Sequence, residues 1–259
     1  MILRGLSQSL KQQNWTAIWI EFILLVTGVF LGIQVSNWNQ ERELAQKAAV
    51  FTDRLREDLR VEVWRYEALN LYYLDVTANV QKTVDALESR TPLSNEDLLV
   101  AAYRATQYSE FIQYRSTYDE LTSTGNIALI RDLKLRKMAT EIYGTELYRN
   151  VKNEGINSPY RVAFRMRMPI AVQGAVSEHC GDRLSDVNNY KSIVKPLDYP
   201  CRTGLPPAVI DEAAASLRAD ATLVPLLRLR MSNIYSAVST SVLSTDVLAD
   251  IQAQAHSKP

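Results

Sequence analysis

From Trp15 to Trp38 the chain reads WTAIWIEFILLVTGVFLGIQVSNW, and between Trp15 and Val35 the only strongly polar side chains are Glu21 and Gln34. At ~1.5 Å rise per residue, such a helix covers roughly 30 Å, the hydrocarbon thickness of a bilayer. Trp15, Trp19 and Trp38 fall near its two ends, where amphipathic rings prefer the headgroup layer. The spacing predicts one uncleaved membrane-spanning helix over 15–38 in contact with membrane lipids. A cleaved signal peptide would have a shorter apolar core and small residues before its cleavage site. Gln34-Val35-Ser36-Asn37-Trp38 is a poor context for that.

The flanks set an expected orientation. Residues 1–14 carry Arg4 and Lys11 and no acid, which keeps this leader in the cytoplasm and exports residues 39–259. On the exported side Cys180 and Cys201 can persist as a disulfide. A metal site built from His179, Cys180 and Cys201 lacks a paired CxxC and a fourth ligand, so no metal or other cofactor is expected. Lys plus Arg equals Asp plus Glu, 29 against 29, which argues against a nucleic-acid partner.

Within the span, Glu21, Gly28 and Gly32 fall within about 40° of one another at 100° per residue, and Asn39 returns to the same side. Gly28-Val29-Phe30-Leu31-Gly32 is a GxxxG element that lets two helix backbones approach closely in lipid. Gln34 is the second polar group of the segment. The Glu21 carboxyl has three readings: snorkelling to the interface, a hydrogen bond to a partner helix, or a step on a proton or ion path.

Beyond Trp38 an apolar residue recurs every three or four positions from Leu44 through Leu55, Leu59, Val63, Leu69, Tyr73, Val76 and Val80 to Leu87. This is a helical seam, expected over 39–90 and continuous with the span. Arg54, Glu57, Asp58, Arg60 and Glu62 are expected on a solvated flank. Helices packing as an antiparallel bundle are expected over 93–259. One begins at Ser94 and carries a tyrosine-rich stripe (Tyr103, Tyr108, Phe111, Tyr114, Tyr118) that packs between helices or lines a pocket. One ends at a left-handed Gly125, one spans 131–152 and one spans 160–178. The last runs over about 222–255 and packs back along the rod. Arg161, Arg165 and Arg167 form either a hydrated face or an anion contact. The fold class is all-α.

Two segments carry a resemblance. Glu21-Phe-Ile-Leu-Leu-Val-Thr-Gly28-Val-Phe-Leu-Gly32-Ile-Gln34-Val-Ser-Asn37-Trp38-Asn39-Gln40-Glu41-Arg42 resembles the anchor signature of DUF6090, a bacterial family of unknown function. Thr117-Tyr118-Asp119-Glu120-Leu121 through Gly125 to Ile130 is similar to that family's internal segment. Departures are Gly32 for Ala, Ser36 for Asn, Gln40 for Glu and Thr124 for Ser. The resemblance implies a single-pass helical membrane protein of a bacterium; with the orientation expected from the flanks, that places it in the bacterial inner membrane with its C-terminal domain in the periplasm. It supplies no catalytic residue.

The leading expectation is an accessory or scaffold protein docking with a membrane protein or a second copy of itself. The alternative is a periplasmic sensor or ligand-binding module acting through a partner. With His179 and His256 the only histidines, and no HExxH, GxSxG or P-loop, no catalytic site is expected.

Overall fold

The computed structural model describes residues 15–110, 112–183 and 196–239, with side chains from Trp19 onward. The expected leader 1–14, the Trp15 ring, Phe111 and residues 240–255 of the final helix lie outside these residues. Among the described residues the chain is 78% helical with no strand, which settles the all-α class.

Helix α1, Trp15–Leu87, runs 73 residues without a break. No glycine or proline follows Gly32 in it, so nothing in the sequence stops its hydrogen-bond ladder. Its end is a turn in which Ser89 takes a left-handed φ of 59° and the Arg90 and Thr91 amides donate to the Asp85 carbonyl. The environment of α1 changes along its length. The thirteen large apolar side chains from Trp19 to Trp38 are all 48–66% exposed. A water-exposed stalk with Leu44 and Val50 uncovered follows, and from Leu55 onward the seam is buried.

Three apolar clusters succeed one another up the rod. Leu55, Leu59 and Val63 meet Leu121 of α3 (Ser116–Ser123), then Leu135, Met138 and Ile142 of α4 (Leu133–Gly144). Tyr66, Leu69, Tyr73 and Val76 meet Leu147 and Val151 of α5 (Leu147–Ile156) and Ile234 of α9 (Leu223–Ser239). Val80 and Val84 meet α2 (Asn95–Arg104), α6 (Pro159–Arg167), α7 (Ile170–Cys180), α8 (Pro207–Ala219) and the start of α9. Because Leu227 lies in the upper cluster and Ile234 in the middle one, α9 descends antiparallel to the rod.

Three expectations about elements are corrected. Helix α2 ends at Arg104, so Tyr108 and Tyr114 lie in a non-helical strip rather than on its face. The stretch 131–152 is split at Thr145, whose extended backbone ends α4 and whose Oγ1 accepts from the Leu147 amide at 3.3 Å. The stretch 160–178 is split at Met168, which Pro169 holds extended (ψ 130°). The Ser94 cap holds: its hydroxyl accepts from the Asp97 amide at 3.1 Å. Gly125 has a left-handed φ of 71°, as a helix C-terminus requires.

The expected solvated flank is also only partly so. Arg54 pairs with Glu120 and Arg60 with Glu57 on the surface, but Asp58 and Glu62 turn inward. The strip after α2 runs down the rod and turns into α3, whose N-cap residue Arg115 makes no side-chain cap bond. Asp58 supplies the missing acceptor from α1, taking the Thr117 amide at 3.2 Å. Glu62, 1% exposed, takes the Tyr114 amide at 2.5 Å, and Arg65 donates to the Ile112 carbonyl. Burial pushes the Glu62 carboxyl above its ordinary range, against the opposing pull of the Tyr114 amide and of Arg65.

Candidate functional site

Two places carry the residues singled out from the sequence. The first is the exposed N-terminal part of α1. Glu21, Gly28, Gly32 and Asn39 form one stripe on it, and a Cβ built on either glycine meets nothing within 4 Å. At 100° per residue, Leu55, where the bundle begins to cover the rod, lies about 180° from Gly28. Higher up the rod the bundle covers the stripe's own side as well, since Trp64 and Asp75, within about 20° of Gly28 at 100° per residue, are buried. Gln34 falls about 140° from the stripe and is not part of it. Trp19 and Trp38, exposed like their neighbours, bracket the apolar segment. By length and composition α1 is the one helix among the described residues able to cross a membrane.

The second place is the far end of the bundle. Cys180 and Cys201 are joined in a disulfide with Cα atoms 5.5 Å apart. Arg104 fastens this region to α2: Nε donates to the Cys180 carbonyl at 3.2 Å and Nη1 to the Tyr199 carbonyl at 3.0 Å. Its guanidinium lies over the Tyr199 ring, 4.3 Å from the centroid. The adjacent cavity, about 460 Å³, is lined by Asp97, and Arg202, another of its lining residues, is paired with Glu96.

The three arginines of α6 do not form one group. Arg167 pairs with Asp220 at 2.7 Å, between α6 and the α8–α9 turn. Arg161 and Arg165 instead line a cavity of about 380 Å³ with Tyr103, Phe164, Gln173 and Ser177. Arg161 donates through Nη1 to the Thr106 carbonyl at 2.9 Å and lies 4.8 Å from the Tyr108 ring centroid. Burial, and then the like charge of Arg165, holds the Arg161 guanidinium below its ordinary pKa.

A family model described as a family of unknown function (DUF6090) matches residues 21–159, more than half of the chain. The chain belongs to the DUF6090 family. The match takes in the Glu21/Gly28/Gly32/Asn39 stripe, the Asp58–Glu62–Arg65 brace and the Thr117–Ile130 segment. Arg161, Arg165 and the disulfide lie beyond the matched residues. No curated protein and no solved structure matches this DUF6090 member.

Sequence reasoning missed Arg230 and Glu154, which form a buried pair 2.7 Å apart between α9 and α5. It also missed the inward turn of Glu62. Arg230 stands three residues after Leu227 and four before Ile234, in the apolar seam of α9, and that spacing was the available signal for burial.

Proposed function

We propose that this protein is a single-pass membrane accessory or scaffold protein. It is anchored by residues 15–38 with its leader in the cytoplasm and its bundle in the periplasm, and it associates through the Glu21/Gly28/Gly32/Asn39 stripe with a membrane protein or a second copy of itself. One observation carries the reading. The stripe lies on the part of α1 that the bundle leaves uncovered, and both glycines are open to a close backbone approach. A single continuous helix then joins the docking segment to the bundle, so a partner bound in the membrane holds the bundle at a defined place above it. The disulfide and the basic leader support export of the bundle.

The test is self-association and partner capture by the full chain in lipid nanodiscs, comparing wild type with Gly28→Leu/Gly32→Leu and with Val29→Leu/Ile33→Leu on another face. Loss of association in the glycine variant alone is expected. Equal association in all three would remove the stripe from any docking role. The second reading, a ligand-binding module acting through a partner, is favoured by the cavity beside Arg161 and Arg165.

A further inference from the structure

The cavity between α2, α6 and α7 has an unusual balance of charge. Two arginines one helical turn apart, Arg161 and Arg165, line it, and no carboxylate does. The nearby Arg230 is already matched by Glu154. The Arg161 guanidinium is committed to one carbonyl through Nη1, and Arg165 has no ion-pair partner among the described residues. Like charges at i,i+4 on a helix are mutually destabilising. Arg161 is half-buried besides, where the repulsion is less screened than in water. An anion placed between them would offset both costs, and a guanidinium fork matches the oxygens of a carboxylate or phosphate.

The rest of the wall defines what the anion is attached to. The Phe164 and Tyr103 rings form its apolar side, with Ile170, 88% exposed, at the rim. Gln173 and Ser177 add polar groups, although the Gln173 amide nitrogen already donates to the Arg165 and Met168 carbonyls at 2.8 Å. A volume of about 380 Å³ lies at the small end of ligand sites. The cavity stands beside the top cluster of the rod, some forty residues above Trp38. At ~1.5 Å per residue that is roughly 60 Å from the anchor, out of reach of the headgroups holding that anchor.

We propose that this cavity binds a small organic anion, a carboxylate or phosphate group on a short apolar body. Arg161 and Arg165 hold the charge, and Phe164 and Ile170 cover the remainder. The site specifies the ligand-module reading and is independent of the docking stripe, so the Gly28→Leu/Gly32→Leu variant keeps it.

The experiment is isothermal titration of the full chain in detergent with phenyl phosphate, benzoate, inorganic phosphate and neutral benzyl alcohol. Saturable binding of phenyl phosphate or benzoate is expected, with a Kd in roughly the micromolar to millimolar range. It should weaken by about tenfold or more in Arg165→Gln and stay unchanged in Arg149→Gln, an exposed cation paired elsewhere with Glu146. Because Arg165 is exposed and makes no ion pair among the described residues, its variant should melt at the wild-type temperature, which separates lost binding from lost folding. Failure of both phenyl phosphate and benzoate to saturate overturns the proposal, as does binding that survives Arg165→Gln. Benzyl alcohol or inorganic phosphate binding as tightly as the aromatic anions would likewise overturn the pairing of charge with an apolar body.

Discussion

Arg230 has one of the largest side chains fully buried in the described core. Its guanidinium ties three elements together: Nε donates to the Ala105 carbonyl at 2.8 Å, Nη2 to the Gln107 carbonyl at 2.7 Å, and Nη1 to Glu154 at 2.7 Å. Arg230→Met keeps most of the volume, so cavity formation contributes little. It orphans two carbonyls and one carboxylate. Breaking a buried ion pair costs about 3–5 kcal/mol, and each orphaned carbonyl about 1–3 kcal/mol. These losses share one site and do not add, so a net loss of about 4 kcal/mol is expected. For a chain of this size that lowers Tm by roughly 8–16 °C.

The loss should depend on pH. Burial already raises the Glu154 carboxyl above its ordinary value, with Arg230 opposing the rise. Removing Arg230 raises it further, so the folded variant takes up a proton at higher pH than the unfolded chain does. A raised acid gains stability as pH falls through its folded pKa towards its unfolded value. The deficit of Arg230→Met should thus be full at about pH 8 and shrink towards about pH 5, and adding Glu154→Gln should recover part of it at the higher pH. Melting followed by far-UV circular dichroism at both pH values reads this directly. A deficit under about 1 kcal/mol, or one of equal size at both pH values, would refute the assignment of Arg230 and Glu154 as a mutually dependent buried pair.

Two further substitutions probe the packing. In Gly155→Ala the new Cβ would sit 2.1 Å from the Tyr108 Cβ. Overpacking of about 1–3 kcal/mol should then exceed the helix-propensity gain of about 1 kcal/mol, whereas Gly144→Ala, with nothing within 4 Å, should be neutral or stabilising in the same thermal melts. Glu96 accepts the Thr203 amide at 2.8 Å, which with Arg202 holds its carboxyl below the ordinary range. A lowered acid contributes stability above its unfolded pKa and loses it as pH falls through the folded one. Glu96→Gln should therefore cost about 1 kcal/mol near neutral pH and progressively less as the pH falls below the ordinary glutamate range and through the lowered folded value, as measured by urea midpoints.

The all-α class, the continuous rod and the Cys180–Cys201 bond were legible because each rests on a local signal: helical periodicity without breakers, or two cysteines that can pair only with each other. The breaks at Thr145 and Met168 were less so. Apolar spacing continues across both, and the marks in the sequence are single residues, Gly144 before the first and Pro169 after the second. The inward turn of Asp58 and Glu62 was only partly legible. On a helical wheel they fall within about 60° of Leu55, whereas Glu57 and Arg60 lie on the opposite side, but what receives them is the backbone of a strip some fifty residues later. The division of the α6 arginines has the same origin. Arg167 finds Asp220 through the α8–α9 turn, a contact no spacing within α6 announces.

The Asp58–Glu62–Arg65 brace explains why the strip after α2 needs no helix of its own. A non-helical segment lying against the rod must place the amides and carbonyls it turns inward, and this one has no neighbouring strand among the described residues to pair with. The rod offers instead side chains at spacings of four and three, which an α-helix turns to one face. Asp58 meets Thr117, Glu62 meets Tyr114 and Arg65 meets Ile112, so the register runs antiparallel to the rod. Acids accept the two amides nearest the start of α3, and the arginine donates to the carbonyl farther from it. The ladder that a sheet would supply through backbone is supplied here by charge, and Asp58 doubles as the cap that α3 lacks. That arrangement fixes where the Thr117–Ile130 segment sits against Leu55 and Leu59, at the first point above the stalk where the rod gains cover. The lowest layer of the bundle is thereby set by residues of the same helix that carries the Glu21/Gly28/Gly32/Asn39 stripe.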